Sequence, residues 1–335
     1  MRLIRDVVLA ALALGLSAAT ASAQETRLIF TSLSPAGSVN STFFNAWAQK
    51  VTDQSGGTLK VEVRDGTTLA NFGNSYDRVL ADVVQIGWVQ PAFVSGKFPL
   101  AEITNLPFMT DDDVTCSMSL SRYYKSAVME AELKEVVPIW ANCLAQTGVH
   151  FAKPLKSDTD LGGLKLRVAG KVPSQIVDRM GGTPVSMTAE QIYESLQRGT
   201  IDGTVTSWAA FEPYKLQEVA FYHIEVPIGS TPSMFMMSRK KWDTLPPQAK
   251  KALEANMGED AVREAAKHFA AQAQRARDAV AKLDNHKIVA LTPEQLAVWK
   301  QKLSPITAEW AKERPGADKA VEEFQKIYQQ VKAGR

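Results

Sequence analysis

The residue whose chemistry stands out first is Arg167, which lies in a short apolar strand pattern, residues 164–168, followed by Ala169 and Gly170. A guanidinium group is a planar fork of N–H donors and can make two parallel, charge-assisted hydrogen bonds to a carboxylate. A strand that delivers one Arg beside a flexible glycine is therefore suited to binding a small organic acid. A surface ion pair with one of the many acidic residues is the alternative interpretation.

Sequence signatures of catalysis are missing from the chain. It contains no nucleophile elbow, no phosphate-binding loop, no dinucleotide glycine fingerprint and no zinc-protease helix. The four histidines, His150, His223, His268 and His286, are scattered, and none stands beside a carboxylate at the spacing of a metal ligand or general base. We expect each to be a surface or packing residue, and we do not expect an enzyme.

Two other groups contain residue types that can bind metals. The acidic run at residues 111–113 precedes an apolar helical pattern, where acidic side chains favour the helix dipole. Cys116 and Cys143 are the only cysteines, and their separation matches no zinc pattern. In an oxidising compartment they form either one disulfide or two free thiols. We expect no metal site.

The N-terminus predicts secretion. Arg2 and Arg5 precede an apolar run, residues 7–16, and a small-residue exit, residues 21–23, which together are typical of a cleaved signal peptide over residues 1–23. The run is too short for a membrane span, which needs roughly 18 to 20 apolar residues. Removing this segment leaves 36 basic and 35 acidic residues, so nucleic acid is not an expected partner.

The elements that must position Arg167 are strands alternating with amphipathic helices. Strand patterns at residues 28–32, 59–63 and 85–89 alternate with helical patterns, which indicates an α/β fold with parallel pairing. The mature chain has roughly 310 residues, more than a single core usually supports, so we expect two lobes.

Two segments are too long for one small lobe. An extended segment over residues 136–155 greatly exceeds the usual strand of about 5 to 6 residues, and it could cross between the lobes. A continuous helical pattern over residues 246–283 would span roughly 55 Å. We expect this single helix to lie across both lobes.

Three ordered motifs then point to a family. They are LGGLKLRV at residues 161–168, GGTPVSM at residues 181–187 and YESLQRGTIDG at residues 193–203. This set resembles the substrate-binding proteins of TRAP transporters, the tripartite ATP-independent periplasmic systems. Residues 80–88 and 106–109 support the resemblance, which runs over nearly the whole mature chain.

The resemblance implies an α/β, two-lobe periplasmic-binding-protein fold with crossing strands, one long helix spanning both lobes, and closure on the ligand. The lobes implied are residues 24–148 with about 232–278, and residues 149–231 with about 279–335. The family's motif arginine, which holds the ligand carboxylate, corresponds to Arg167. The resemblance implies no cofactor, a monomeric periplasmic protein, and delivery of the ligand to TRAP permease membrane subunits driven by an ion gradient.

Two departures from the family pattern bear on the ligand. Thr206 stands where many relatives carry an Asn that also reaches the ligand, which argues against a sugar acid. Residues 145–148 lack the second Arg found in relatives that bind sialic acid. We therefore expect a small carboxylate with one anionic group and an aromatic or apolar body, such as an aromatic or keto acid.

Other ligand contacts are assigned by analogy with the family's cleft. Aromatic faces can sandwich a planar ligand, and packing in the core is the alternative for each ring, favoured for Phe93 and Phe211. Ser34, between the first strand and first helix, could offer a hydroxyl or N–H group to an anion. The assigned residues are Ser34, Phe72, Trp88, Gln90, Phe93, Thr206, Trp208 and Phe211.

Two competing functions share the same cleft. A ligand sensor for a membrane signalling partner would need the same binding residues. A periplasmic lyase or hydrolase on an α/β scaffold is disfavoured because the sequence offers no pair of nucleophile and base.

Overall fold

A computed structural model describes residues 25–94 and 96–335 of the chain. The predicted signal peptide, residues 1–23, lies outside these described residues. Within them the protein is mixed α/β, as the alternating sequence patterns predict. No helix in the described ranges is both long enough and apolar enough to cross a membrane.

The regular elements alternate along the chain. The strands are β1 Thr26–Thr31, β2 Leu59–Arg64, β3 Ile86–Val89, β4 Val136–Phe151, β5 Lys165–Val168, β6 Thr183–Ser186, β7 Gly203–Ser207, β8 Tyr222–Glu225, β9 Ser230–Ser238 and β10 Lys287–Ala290. The helices are α1 Val39–Gln54, α2 Ser75–Leu80, α3 Asp113–Tyr124, α4 Lys171–Arg179, α5 Ile192–Gln197, α6 Phe211–Tyr214, α7 Arg239–Thr244, α8 Pro247–Glu254, α9 Glu259–Val280, α10 Pro293–Leu303, α11 Pro305–Glu313 and α12 Ala317–Lys332.

The strands form one path in the order β2-β1-β3-β9-β4-β7-β5-β6, with β8 beside β4 and β10 beside β8. The β1–β3 half and the β5–β7 half are each parallel internally. Parallel pairing is what strand–helix–strand units require. One apolar cluster around Phe44, Trp140 and Phe235 packs in the β1–β3 half, and a larger cluster that includes Leu166 and Met236 extends through both halves.

Strand β4 joins the two halves. It pairs antiparallel with β9 up to Gln146 and then with β7 and β8 over its last five residues. Its register shifts between Cys143 and Gln146, where Ala145 has a positive φ of 51°. The predicted extended crossing segment is confirmed, although it ends at Phe151. The bulge marks the place where the strand passes from one half to the other.

The predicted single helix over residues 246–283 is wrong, because the chain forms two helices, α8 and α9. Gly258 is extended at the start of α9, with φ −75° and ψ −179°. Glycine has a low helix propensity, and Glu259 and Asp260 in the next turn favour a new helix N-terminus through the dipole. The continuous stripe of apolar residues hid this break.

Helix α9 nevertheless spans both halves of the molecule. At its N-terminal end, Glu259 accepts from Arg122 of α3 at 2.6 Å. At its C-terminal end, Arg277 donates to Glu225 of β8 at 2.7 Å. The helix has 22 residues, which at about 1.5 Å per residue gives a length of roughly 33 Å.

The cysteines and the acidic run have structural roles. Cys116 of α3 and Cys143 of β4 form a disulfide with their Cα atoms 6.0 Å apart, which settles the alternative left open by the sequence. Asp112 caps α3 by accepting from the Thr115 N–H. Asp111 pairs with Lys332 of α12 at 2.6 Å. Among the described residues no cluster of three or more His, Cys, Asp or Glu side chains could hold a metal.

Candidate functional site

A cleft with a cavity volume of about 60 Å³ lies between the two halves. Both halves and helix α9 contribute to its walls. Six of the residues assigned from the sequence line it: Ser34, Phe72, Trp88, Gln90, Arg167 and Thr206. The lining also includes Asn40, Leu144, Tyr214, Thr231, Phe269 and Gln272, which the sequence reasoning did not single out.

Strand β5 positions Arg167. Side chains alternate between the two faces of a strand, and Leu166 and Val168, on either side of Arg167, are fully buried in the apolar core. Arg167 therefore projects from the opposite face, where it lines the cleft. Its Nε–H donates to the Met187 carbonyl at 2.9 Å, and Nη1 donates to the Val205 carbonyl at 3.5 Å. These two contacts hold the guanidinium plane in place.

Arg167 is a cation without an acidic partner. Its side chain forms no salt bridge with any acidic residue in the described ranges, and only 3% of the residue is exposed. Burial lowers the pKa of Arg167 to about 10, while Tyr214 and Glu190 act in the opposite direction. The group therefore stays charged at neutral pH, and a buried charge without a partner is unfavourable.

The guanidinium keeps donors free for a ligand. Nη2 has no hydrogen-bond partner among the described residues, and the contact made by Nη1 is long. A carboxylate placed on these terminal nitrogens would receive two N–H donors in the fork geometry that suits it. The arrangement can bind an anion. We see no nucleophile paired with a base in the cleft lining.

The opposite wall of the cleft is aromatic. Trp88 lies face to face with Phe235 at a centroid distance of 5.2 Å and edge-on to Phe72 at 5.3 Å. Its indole N–H donates to the Ser233 hydroxyl. Trp88 and Phe72 both line the cleft, and both are almost fully buried.

Comparison with known proteins identifies this arrangement. A family model described as bacterial extracellular solute-binding protein, family 7, matches residues 30–313. The chain belongs to this family. Its members are periplasmic substrate-binding proteins of TRAP transporters, so the protein is a binding receptor rather than an enzyme.

Individual relatives are distant in sequence but similar over most of their length. The C4-dicarboxylate-binding periplasmic protein DctP of Rhodobacter capsulatus is 27% identical over 287 residues, 82% of each chain. A marine metagenome TRAP protein specific for aromatic acid ligands, solved with metahydroxyphenylacetate, is 26% identical, covers 91% of this chain and 99% of its own, and has a TM-score of 0.85.

A third relative supports the fold alone. A TRAP solute-binding protein of Rhodoferax ferrireducens, solved with copurified benzoate, has a TM-score of 0.86 at 22% identity, over 92% of this chain and all of that one. These likenesses confirm the predicted two-lobe fold of the family 7 protein.

Trp208 and Phe211 lie outside the cleft lining, although the sequence predicts both as ligand contacts. Trp208 donates its indole N–H to Glu225 at 3.1 Å and packs on Phe211 at a centroid distance of 4.5 Å. Both rings also pack against His150 and His223. Phe93, also absent from the lining, lies 6.2 Å from Phe72. Trp208 and Phe211 are packed in the core, the alternative given for these rings, whereas Phe93 is partly exposed and packs against the edge of an apolar cluster.

Three of the four histidines that are scattered in the sequence form a chain in space. His150 Nδ1 lies 3.0 Å from His223 Nδ1, and His223 Nε2 lies 3.1 Å from His286 Nδ1. His150 Nε2 lies 3.2 Å from the carbonyl of Thr206, a cleft residue. The sequence gave no signal for this chain, because its members come from β4, β8 and the loop before β10.

Proton counting fixes the tautomers of this chain. The Thr206 carbonyl can only accept, so His150 carries its proton on Nε2 and accepts through Nδ1. His223 must then donate from Nδ1 and accept at Nε2 from His286. Burial lowers the pKa of His150 to about 3, and burial with the neighbouring imidazoles lowers the pKa of His223 to about 2. Both are neutral at physiological pH, in agreement with the packing role expected for them.

Tyr214 and Gln272 are site residues that sequence reasoning missed. Burial raises the pKa of Tyr214, which keeps its hydroxyl protonated beside Arg167. Gln272 had a detectable signal: with Ala265, Phe269 and Ala276 it follows the spacing of the buried face of α9. A lone amide on a stripe of Ala and Phe is the kind of exception that marks a binding site.

Proposed function

We propose that this family 7 receptor captures a small organic carboxylate in the cleft and delivers it to TRAP permease membrane subunits. The observation that carries the proposal is Arg167, a buried guanidinium without an acidic partner in the described ranges and with its terminal nitrogens directed to the cleft. A ligand carboxylate would neutralise this charge and fill its free donors. Closure around the pair would exclude water and strengthen the interaction.

Relatives support the carboxylate class. One binds metahydroxyphenylacetate, one benzoate and another, from Bordetella bronchiseptica, mandelate. Each of these ligands carries one carboxylate and one aromatic ring. The Rhodobacter capsulatus relative is named for C4-dicarboxylates.

The charge of the cleft favours one anionic group. Arg167 is the only Lys or Arg among the described residues that line the cleft. A second carboxylate would have to lose its water without gaining a cation, which is costly. We infer an aromatic or keto monocarboxylate, with its apolar body against the edges of Phe72 and Trp88. Ser34, Gln90 and Thr206 are the proposed polar contacts around it.

The remaining parts of the proposal follow the family pattern. Residues 1–23 are removed on secretion. Residues 24–148 with about 232–278 form one lobe, and residues 149–231 with about 279–335 form the other. The receptor acts as a monomer. Helix α12 packs against α3, where Phe324 contacts Tyr123, and its Tyr328 donates to Asp111 just before α3, so under this division the C-terminal helix ties the lobes together.

Thermal-shift screening tests the proposal. The mature chain is melted with mono-, di- and keto-carboxylates, and hits are titrated by calorimetry. Arg167→Met is compared with Arg179→Gln, which removes a cation that pairs with Glu309 between α4 and α11 and does not line the cleft. We expect binding to be lost in Arg167→Met and kept in Arg179→Gln. Absence of a shift with every carboxylate would overturn the proposal.

A further inference from the structure

The side chain of Gln272 is buried and only half paired. It lies on the face of α9 that lines the cleft, and 1% of the residue is exposed. Its Nε2 donates to the Ala209 carbonyl at 3.1 Å. Its Oε1 is buried and has no hydrogen-bond partner in the described part of the chain.

The orientation of this amide is fixed. The Ala209 carbonyl has lone pairs and no proton, so only the NH₂ group of Gln272 can face it. Turning the amide over would set two oxygens against each other. Oε1 is therefore an acceptor by necessity. Asn40, another amide in the lining, differs because its partner is His268 Nε2, which can donate or accept according to its tautomer.

An unpaired buried acceptor selects among ligands. A carboxylate or keto oxygen beside Oε1 would be repelled, and an apolar group would leave Oε1 unpaired, which costs the full desolvation of that group. An ammonium group could donate, but no Asp or Glu of the described chain lines the cleft to balance a second cation. A neutral donor satisfies Oε1 without a new charge, and a hydroxyl group is the simplest one.

We propose that the ligand is a hydroxylated monocarboxylate whose hydroxyl donates to Gln272 Oε1 while its carboxylate lies on Arg167. The inference rests on the proposed function and narrows it. Gln272 then determines specificity in two ways. It favours a ligand with a hydroxyl group and disfavours one with a second carboxylate at the same place.

Matched ligands test the assignment. Benzoate, the three hydroxybenzoates and isophthalate share one ring and one carboxylate and differ in a hydrogen, a hydroxyl or a second carboxylate. Phenylacetate and mandelate form a second pair that differs by one hydroxyl. Each is titrated by calorimetry into the mature chain, Gln272→Met and Gln274→Met. Gln274 lies on the same helix but is exposed and bonds Asp278, so it is the control.

For the unsubstituted protein and for Gln274→Met, we expect the tightest-binding hydroxylated ligand of each series to bind about tenfold more tightly than the acid without the hydroxyl group. This ratio is the scale of one hydrogen bond. Isophthalate should bind more weakly than benzoate. In Gln272→Met the ratio of affinities for the hydroxylated and unsubstituted acids should fall to about one, because Met offers no acceptor of comparable strength. The affinity for the unsubstituted acid should be kept or improved.

Two outcomes would overturn the role assigned to Gln272 and leave the proposed function intact. One is equal affinity of the parent chain for hydroxylated and unsubstituted acids, which needs no variant and so does not depend on the folding of Gln272→Met. The other is an unchanged preference in Gln272→Met. Failure of every carboxylate to bind would overturn the proposed function, and this inference with it.

Discussion

Gly170 and Ala92 meet between the two halves of the protein, at a separation that only glycine allows at position 170. A Cβ built on Gly170 would lie 2.8 Å from the Cβ of Ala92, closer than side-chain carbons approach. Gly170 precedes α4 in one half, with φ +95°, and Ala92 lies in the short turn after β3 in the other. This contact brings the two halves together beside Arg167, so the structure is that of a closed cleft.

Gly170→Ala is expected to weaken ligand binding by about tenfold or more, because the added methyl obstructs closure and the closed state becomes less populated. The measurement is ligand affinity by calorimetry together with the change in radius of gyration on binding by solution scattering. The change in radius should shrink in the variant.

Gly163→Ala is the matched control for Gly170→Ala. Gly163 also has a positive φ, +77°, but a Cβ there meets no atom within 4 Å. An alanine there is therefore placed at a positive φ, which costs free energy for any residue with a Cβ, but it makes no clash. Normal affinity in Gly170→Ala, or an equal loss in Gly163→Ala, would show that the close approach does not control closure.

Arg167→Lys separates the charge of Arg167 from its shape. Lysine keeps the positive charge but replaces the planar fork by a point charge that cannot make two parallel hydrogen bonds. We expect carboxylate affinity to fall by about 1.5 to 3 kcal/mol, less than the roughly 2 to 5 kcal/mol expected for Arg167→Met, which removes a buried charge partner. Calorimetric titration of both variants at one ionic strength measures the two losses of affinity. Equal affinity of Arg167→Lys and the parent would exclude a bidentate contact.

The buried histidine chain predicts the response of stability to acid. The pKa of His150, about 3, and that of His223, about 2, lie below the ordinary value of 6.5, so the folded state binds fewer protons than the unfolded chain. Their contribution is therefore complete above about pH 6.5 and is lost as the pH falls. Each group contributes a slope of up to about 1.4 kcal/mol per pH unit.

The measurement is the free energy of urea unfolding between pH 6.5 and 4.5, for the parent and His223→Gln. Asp113 and Glu132, whose pKa values burial raises to about 6 and about 7, act with the opposite sign, because the folded state holds their protons more tightly. The test is therefore the difference between the two proteins. We expect a shallower loss in His223→Gln, and an identical slope would contradict the neutral, buried state of His223.

The Cys116–Cys143 disulfide should contribute about 2 to 4 kcal/mol to the free energy of unfolding, mainly by restricting the unfolded chain. The bridge closes a loop with a sequence separation of 27 residues and ties α3 to β4. The Cys116→Ser, Cys143→Ser double variant should unfold at lower urea concentration than the parent, and the parent treated with reductant should match it. No difference between oxidised and reduced parent would contradict this contribution.

Local patterns predicted the elements of this fold well where one physical effect dominated. The strand predicted at residues 59–63 is observed as Leu59–Arg64. The strand predicted at residues 85–89 is observed as Ile86–Val89. These elements depend on residues close in sequence, so local patterns are sufficient to predict them.

Features set by distant contacts were not predictable in this way. The break between α8 and α9 falls at Gly258 and the two acidic residues after it, in a stripe of apolar residues that otherwise predicts one continuous helix. The bulge at Ala145 is a register shift of β4 against β9. The chain of His150, His223 and His286 joins residues 63 or more apart in sequence. Each requires knowledge of which elements pack together.

The residues of the candidate site also fall into two groups, those predicted from local sequence and those that depend on distant contacts. The family motif located Arg167, and the closed cleft places it with Ser34, Phe72 and Thr206. Tyr214 was missed because its role depends on the packing of α6 at the cleft. The local signal for Gln272, an amide on the apolar stripe of α9, does not show what that stripe packs against.

The crystal structure of the mature protein with a carboxylate found by the screen tests the central claim most directly. The account predicts one carboxylate on the terminal nitrogens of Arg167, at charge-assisted hydrogen-bond distances of about 2.7 to 2.9 Å, in a closed cleft. A ligand whose anionic group lies away from Arg167, or a bound ligand without an anionic group, would contradict it.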